Sequence, residues 1–332
     1  AGFIGSHLAK LLIKKNFQVH TIDCLTYAAN YNSIKNLEPS DNFSFSKVNI
    51  CDYDKIVDIF FKFQPDAVFH LAAESHVDNS ILNPGLFIQT NIIGTYNLLR
   101  ASMKYCDKHN YYENFKFLHV STDEVYGSLS NNEPIFTEDC KYKPNSPYSA
   151  SKASSDHLVR AWQKTYGLPV LITNCSNNYG SFQHPEKFIP LIISNALKFE
   201  KIPIYGDGLQ IRDWLHVSDH VQALYKVLLE GKIGEVYNIG SWNEIKNIDL
   251  AKKICKKMDE LLPINDLNIK NYSELLHFVE DRKGHDERYA IDSSKIFNQL
   301  KWKAKVNFDE GLSSTITWYM NNLDWCNFFK RS

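Results

Sequence analysis

Apolar and polar positions change rhythm repeatedly along the first half of the chain, and in a regular order. Residues 17–23 (FQVHTID) alternate as a half-buried strand does. Residues 67–72 (AVFHLA) form the unbroken apolar run of a strand covered on both faces. Residues 43–50, 115–120 and 170–174 read as further strands. Helical spacing occupies 7–15, 54–63, 91–105 and 148–166, with Pro65 ending the second of these and Gly167 and Pro169 closing the last. Strands alternating with helices predict an α/β fold, a Rossmann-like doubly wound parallel sheet. After about Asn177 the rhythm shortens. Pro185, Pro190 and Pro203 punctuate short elements, Gly206-Asp207-Gly208 reads as a turn, and helices are expected over 215–229, 250–261 and 311–322. The expected division is a sheet domain over 1–176 and a smaller α/β substrate lobe over 177–332, with some elements returning to the main sheet.

The chain opens on Ala1-Gly2-Phe3-Ile4-Gly5-Ser6-His7, a glycine turn entering a helix. Such a turn normally follows a buried strand, so the first strand is expected to be missing. Gly2 and Gly5 let the backbone approach a pyrophosphate at a helix N-terminus, where free N–H groups and the helix dipole favour negative charge. A glycine pair alone is equally well a structural turn. Asp23 changes the balance: it ends the next strand, where an acidic side chain binds a ribose hydroxyl and repels a 2′-phosphate, favouring NAD over NADP. Asp52, just after the following strand, is placed to meet an adenine amino group. Leu71, Ala72 and Ala73 end another strand with residues that allow close approach.

Two segments carry candidate chemistry. Tyr148 and Lys152 are four apart and share a helix face, so an ammonium near the phenol would lower its pKa from about 10 and make it a usable base. Ser121-Thr122-Asp123-Glu124 closes the strand over 115–120. It supplies hydroxyls beside Tyr148 and two carboxyls that leave the strand in different directions, one able to serve as acid while the other serves as base. Arg212 suits a pyrophosphate through its planar fork of donors.

Composition narrows the partners. With 37 basic and 38 acidic residues and a formal charge of -1, there is no electrostatic case for nucleic acid or an anionic membrane. The 7 cysteines form no C-x-x-C pair, which reads as free thiols in a reducing compartment, so a cytoplasmic protein is expected. No apolar run reaches the length of a membrane span and no signal peptide is read. His70, Glu74 and His76 match no zinc spacing, and no metal is expected.

These segments, together with IDCLTYAAN at 22–30, HLAAESHVD at 70–78, NCSNNYG at 174–180, PEKFIPL at 185–191, YGDGLQIRDWLHVSDH at 205–220 and DRKGHDERYAID at 281–292, resemble an extended short-chain dehydrogenase/reductase, and specifically a nucleoside-diphosphate-glucose 4,6-dehydratase of the dTDP-glucose type. The Asp-Glu after Thr122 is the specific part. The resemblance implies a tightly held NAD that takes hydride from C4 of the sugar and returns it to C6. It casts Tyr148 as the base at O4, with Thr122 holding that oxygen. Glu124 would take the C5 proton and Asp123 would protonate the departing C6 hydroxyl. Lys152 would reach the nicotinamide ribose. It also implies cofactor contacts from Phe3, Ile4, Leu25, Thr26, Ile50, Thr90 and Asn177. Substrate contacts would come from Ser75, Asn177, Glu186, Lys187, Pro203, Tyr205, Arg212, Asn238, Arg282, His285 and Tyr289, and the protein would be a homodimer through the helices over 91–105 and 148–166. The chain departs from the family pattern at the first motif glycine, which is absent, and at Asn79, Ser181 and Lys283, where Arg, Pro and Pro are usual. A 4-epimerase or decarboxylase of the same superfamily and a non-catalytic NAD-sensing protein are the rival readings. Neither dTDP nor UDP is selected by a readable motif.

Overall fold

The computed structural model describes residues 1–264 and 269–328. Helix α1 (Phe3–Lys14) leads into strand β1 (Val19–Asp23), which pairs in parallel with β2 (Phe43–Lys47). There follow α2 (Tyr53–Phe63), β3 (Ala67–His70), the short helices α3 (Val77–Leu82) and α4 (Pro84–Phe87), a π-helical turn over Ile88–Gly94, α5 (Thr95–His109), β4 (Lys116–Thr122), α6 (Pro147–Tyr166) and β5 (Val170–Cys175). The second half adds β6 (Asn177–Tyr179), α7 (Phe188–Ala196), β7 (Ile202–Tyr205), β8 (Ile211–His216), α8 (Val217–Glu230), β9 (Val236–Ile239), β10 (Glu244–Lys246), α9 (Asn247–Leu261), β11 (Leu276–Val279), α10 (Ser294–Leu300), α11 (Phe308–Asn321) and α12 (Leu323–Phe328).

Strands β3, β4, β5 and β9 form one parallel sheet in that order. The apolar runs of β4 and β5 explain their central places. All six residues of β5, and β4 from Phe117 onward, are buried, as strands covered on both faces must be. This is the expected doubly wound architecture. The second half contributes β9 to the sheet, pairing Asn238 with Asn174. Its own core lies between α7, α9 and α11, where Ile189, Ile192 and Ile193 meet Leu250, Ile254, Met258, Leu312 and Ile316.

Several boundaries differ from expectation, two of them for clear local reasons. The helix expected over 91–105 begins as a π-helical turn and becomes α-helical at Thr95. Asn91 is turned inward there: its side-chain amide donates to Glu74 O at 3.0 Å and Ser151 Oγ at 2.8 Å, and its oxygen accepts from Glu74 N at 2.8 Å. Gly94 completes the fit, since a Cβ would stand 2.4 Å from Ile50 Cδ1. A π-bulge is the ordinary way to turn one such side chain out of helical register. The helix expected from residue 215 begins at Val217, because Leu215 and His216 finish β8 and the His216 ring accepts the Ser218 N–H as a cap.

Helix α6 is the most firmly started element. Ser146 Oγ accepts from Ser149 N at 3.0 Å while Ser149 Oγ accepts from Ser146 N at 3.1 Å, a reciprocal capping box worth about 1 kcal/mol. Gly167 closes the helix in the left-handed conformation.

Candidate active site

The chain leaves β4 through a single 3₁₀ turn, Asp123–Tyr126. Thr122 caps it, its hydroxyl accepting from Glu124 N at 3.3 Å. Gly127 follows at φ 92°, and a Cβ there would lie 2.4 Å from the Lys143 carbonyl oxygen, so only glycine fits. Tyr126 anchors the turn from beneath, donating to Asn238 Oδ1 at 2.8 Å and accepting from Asn174 Nδ2 at 2.9 Å. This rigid corner puts Asp123 almost wholly out of solvent, 2% exposed, with Oδ2 lacking a partner. Burial first, then the charges of Glu124 and Asp213, push its pKa well above the usual carboxylate range, against Arg212 and the Thr122 hydrogen bond. Burial also raises Glu124, but Arg212 and Lys187 restrain it. Two adjacent carboxyls thus stand in different environments, the arrangement that separates an acid from a base.

Tyr148 lies at the start of α6, 9% exposed, and its ring meets Phe87 edge-on at 6.3 Å. Its phenol is held well above its ordinary pKa by burial first and then by Glu124, with Thr122 opposing through a hydrogen bond. The expectation that Lys152 lowers this pKa fails in this arrangement. The Lys152 ammonium donates to the Val120 carbonyl at 2.9 Å and lies 3.5 Å from His119 Nε2, and the phenol's pKa is raised overall. Ser121 turns from Tyr148 and donates to Asp156 Oδ2 at 2.9 Å.

The second half forms the opposing wall. Lys187 Nζ donates to the Ser75 carbonyl at 2.8 Å, and burial lowers its pKa against the pull of Glu186 and Glu124. Arg212, 6% exposed, donates to the carbonyls of Ile211 at 2.8 Å and Asp286 at 2.9 Å and stacks on Tyr289 with 4.2 Å between guanidinium carbon and ring centre. Tyr289 in turn donates to Asp286. Arg282 pairs with Asp78 at 2.5 Å, and Tyr205 donates to the same carboxylate at 3.5 Å. His285 is bound to Asp281 at 2.6 Å and faces Tyr205. Glu186 accepts from Tyr27 at 3.3 Å and lies near His76 and His184. Asn177 Oδ1 is buried without a partner. Pro203 sits within β7, opposite His277. Asn238 is not brought to this wall: its amide is used by Tyr126 and Phe136 inside the sheet.

The cofactor candidates gather at the ends of α1, β1 and β3. Helix α1 has no side-chain cap, and nothing lies within 4 Å of where a Cβ on Gly2 or Gly5 would stand, leaving room at an N-terminus suited to phosphate. Phe3 and Ile4 form its first turn. Asp23 Oδ1 accepts from Leu25 N at 2.7 Å, and Leu25 takes a left-handed conformation before Thr26. Asp52 caps α2 and pairs with Lys55 at 2.7 Å. Ile50 is buried against Gly94, Leu71, Ala72 and Ala73 follow β3 half-buried, and Thr90 lies in the π-helical turn. Free helix N–H groups, an acidic strand end and small residues fit a dinucleotide. Among the described residues no group of three or more His, Cys, Asp or Glu is placed to hold a metal ion.

Sequence reasoning passes over Asp213, which acts on Asp123, and Asp286, which anchors both Arg212 and Tyr289. It also misses His119 and Asp156 behind Lys152. The spacing of Asp156, four residues after Lys152 on one helix, is the signal that could have found it.

Known proteins resemble the chain along nearly its whole length. Residues 1–315 match the family described as GDP-mannose 4,6 dehydratase. The dTDP-glucose 4,6-dehydratase of Haemophilus influenzae is 54% identical over 328 residues, covering 97% of this chain and 96% of that protein. Among solved structures, the dTDP-glucose 4,6-dehydratase DesIV of Streptomyces venezuelae, crystallised with NAD bound, superposes with a TM-score of 0.90 at 38% identity, covering 99% of this chain and 97% of that one. A UDP-glucose 4-epimerase of Thermotoga maritima gives 0.84 at 29% identity, covering 97% of each chain.

Proposed function

The chain belongs to the GDP-mannose 4,6 dehydratase family and stands among its dTDP-glucose 4,6-dehydratases, extended short-chain dehydrogenases/reductases, and we propose that the cleft beyond β4 dehydrates dTDP-glucose with the residues described above. The enzyme is an NAD-dependent hydro-lyase forming a 4-keto-6-deoxy sugar nucleotide in deoxysugar synthesis. Bound NAD supplies a hydride acceptor that is regenerated within each cycle. Gly2, Gly5 and the first turn of α1 would hold its pyrophosphate, Asp23 its adenosine ribose and Lys152 its nicotinamide ribose.

The observation that carries the reading is the unequal pair Asp123 and Glu124. Expelling the C6 hydroxyl after C4 is oxidised requires an acid at O6 and a base at C5 on adjacent carbons. Asp123, kept protonated by burial, gives its proton to the departing hydroxyl. Glu124, held lower by Arg212 and Lys187, takes the C5 proton and later returns it. Tyr148 accepts the O4 proton and Thr122 donates to that oxygen. Burial first and then the Glu124 charge hold the Tyr148 phenol above its ordinary pKa, and the positive charge of bound NAD would oppose both. Arg212 and Arg282 face the diphosphate. Asp123 and Glu124 weigh against the 4-epimerase reading, because epimerisation expels nothing at C6.

The division of labour is residues 1–176 for cofactor and proton transfer and 177–332 mainly for the sugar nucleotide. The protein pairs as a homodimer through α5 and α6, supported by exposed Ile81, Leu82, Leu86, Ile88 and Ile93 on the segment leading into α5. Its seven cysteines, which form no C-x-x-C pair, support a cytoplasmic setting. No helix of the described residues is long and apolar enough to cross a membrane.

The test is incubation with dTDP-glucose and UDP-glucose separately, in heavy water, with mass spectrometry of the product. Loss of one water from dTDP-glucose with one deuterium gained at C5 is expected. Epimerised sugar of unchanged mass would overturn the reading.

A further inference from the structure

Around Lys152 lies a buried polar network of which the reaction scheme uses only the lysine itself. Lys152 and Asp156 are one turn apart on α6, and β4 lays three successive groups against them. The Val120 carbonyl accepts from Lys152 Nζ at 2.9 Å. His119 Nε2 lies 3.5 Å from Lys152 Nζ and 3.1 Å from Asp156 Oδ1. Ser121 Oγ donates to Asp156 Oδ2 at 2.9 Å, and the Tyr142 hydroxyl bonds to the same carboxyl. His119 is fully buried, Asp156 is 2% exposed and Lys152 is 4% exposed.

We propose that Asp156 is the positioning residue of this site: through its charge, with His119 between, it keeps Lys152 an ammonium fixed at the end of β4 beneath Tyr148. The proposal rests on the reading of Tyr148 and Lys152 given above. A lone buried ammonium is costly and sheds its proton unless paired. Burial does depress Lys152, and the charge of Asp156 is the first influence opposing it, followed by Cys175. Asp156 is itself pushed by burial up to about 6, with Lys152, Ser121, Tyr142 and His157 pulling it back. Burial and Lys152 hold His119 neutral. Its single ring N–H therefore has a choice. Nε2 can donate to Asp156 or accept from Lys152, and Nδ1 is buried without another partner. The remaining groups facing the pair are His70 from β3, whose ring centre is 5.0 Å from that of His119, Cys175 from β5, His157 of α6 and Tyr126 from the catalytic turn.

The experiment compares Asp156→Asn with wild type on dTDP-glucose across pH. It follows the reduced-nicotinamide absorbance of the first step in single turnover, the steady-state KM, and thermal melting without substrate. The first step should slow by about 10- to 100-fold, with KM within about twofold. Its alkaline limb should move down by about one pH unit, since Lys152 without its counter-charge loses its proton earlier. Asp156→Glu should return that limb part of the way. In melting, wild type should lose stability relative to Asp156→Asn as pH rises from about 4 to 7, because the native state favours the protonated carboxyl. If Asp156→Asn does not fold, Ser121→Ala replaces it. Losing that donor raises the Asp156 pKa, and the acid limb of the first step should move to higher pH. A folded Asp156→Asn, or Ser121→Ala in its place, with an unmoved pH profile overturns the proposal, whatever its effect on KM. Tyr148→Phe, run in parallel, separates the two readings: if it is inactive the scheme stands and only Asp156 is on trial, and if it is fully active the scheme itself falls.

Discussion

Thr122 donates its hydroxyl to Asp123 Oδ1 at 3.3 Å, so the last residue of β4 holds one oxygen of the next residue's carboxyl while the other has no partner. A buried carboxyl with one donor favours its neutral, acidic form. Asp123→Asn should therefore abolish water loss, by about 100-fold or more in kcat, while still allowing the nicotinamide absorbance of the first step to appear. Its effect on stability runs the other way. The folded pKa of Asp123 is raised, so the stability it lends is complete below about pH 4 and declines as pH rises. Asparagine carries no such loss. The melting temperature of the variant relative to wild type should climb between pH 4 and pH 7, and a constant difference would show that Asp123 is ionised in the fold.

Tyr148→Phe removes the proton acceptor of the first step but none of the groups that release water. No reduced nicotinamide should form with dTDP-glucose, and product formation should fall by about 100- to 10,000-fold. Stopped-flow absorbance distinguishes this from Asp123→Asn, in which that signal persists.

Arg212 restrains the pKa of Glu124, so Arg212→Gln should raise it. The base form of Glu124 then appears only at higher pH, and the acid limb of kcat/KM should move upward. Because the guanidinium also faces the diphosphate, KM should rise about tenfold or more. A raised KM with an unmoved acid limb would assign Arg212 to binding alone.

Gly127→Ala places a methyl 2.4 Å from the Lys143 carbonyl at a backbone angle that only glycine adopts readily. The variant should lose about 3 kcal/mol of stability, read as a lower urea midpoint. Activity should fall even where the protein remains folded, since this residue sets where the turn over Asp123–Tyr126 ends.

Strands β4 and β5 are legible in the sequence because their burial is continuous, and α6 because Gly167 and Pro169 mark its end. Asp123, Glu124 and Tyr148 are legible because neighbouring residues on one strand end and one helix start have few places to go. The direction of the Lys152 ammonium is not legible. The shared helix face with Tyr148 suggests a partner, but the Val120 carbonyl is nearer and is reached only once β4 and α6 pack. Short strands such as β7 and β10 are also hidden, since pairing partners distant in sequence decide them. The π-helical turn before α5 depends on Asn91 reaching Glu74 and Ser151, contacts that no periodicity encodes.

The parallel pairing of β9 with β5 bears on how the protein is made. As the chain emerges from the ribosome, β5 is complete well before β9 exists, and its outer edge stays unsatisfied through the synthesis of everything between. Asn238, which holds Tyr126 under the catalytic turn, arrives with β9. The proton-transfer residues are thus all translated early, yet the corner that aims them is locked only when a late strand docks. A nascent chain stalled before Val236 would carry every catalytic side chain and lack the buried partner that holds them in place.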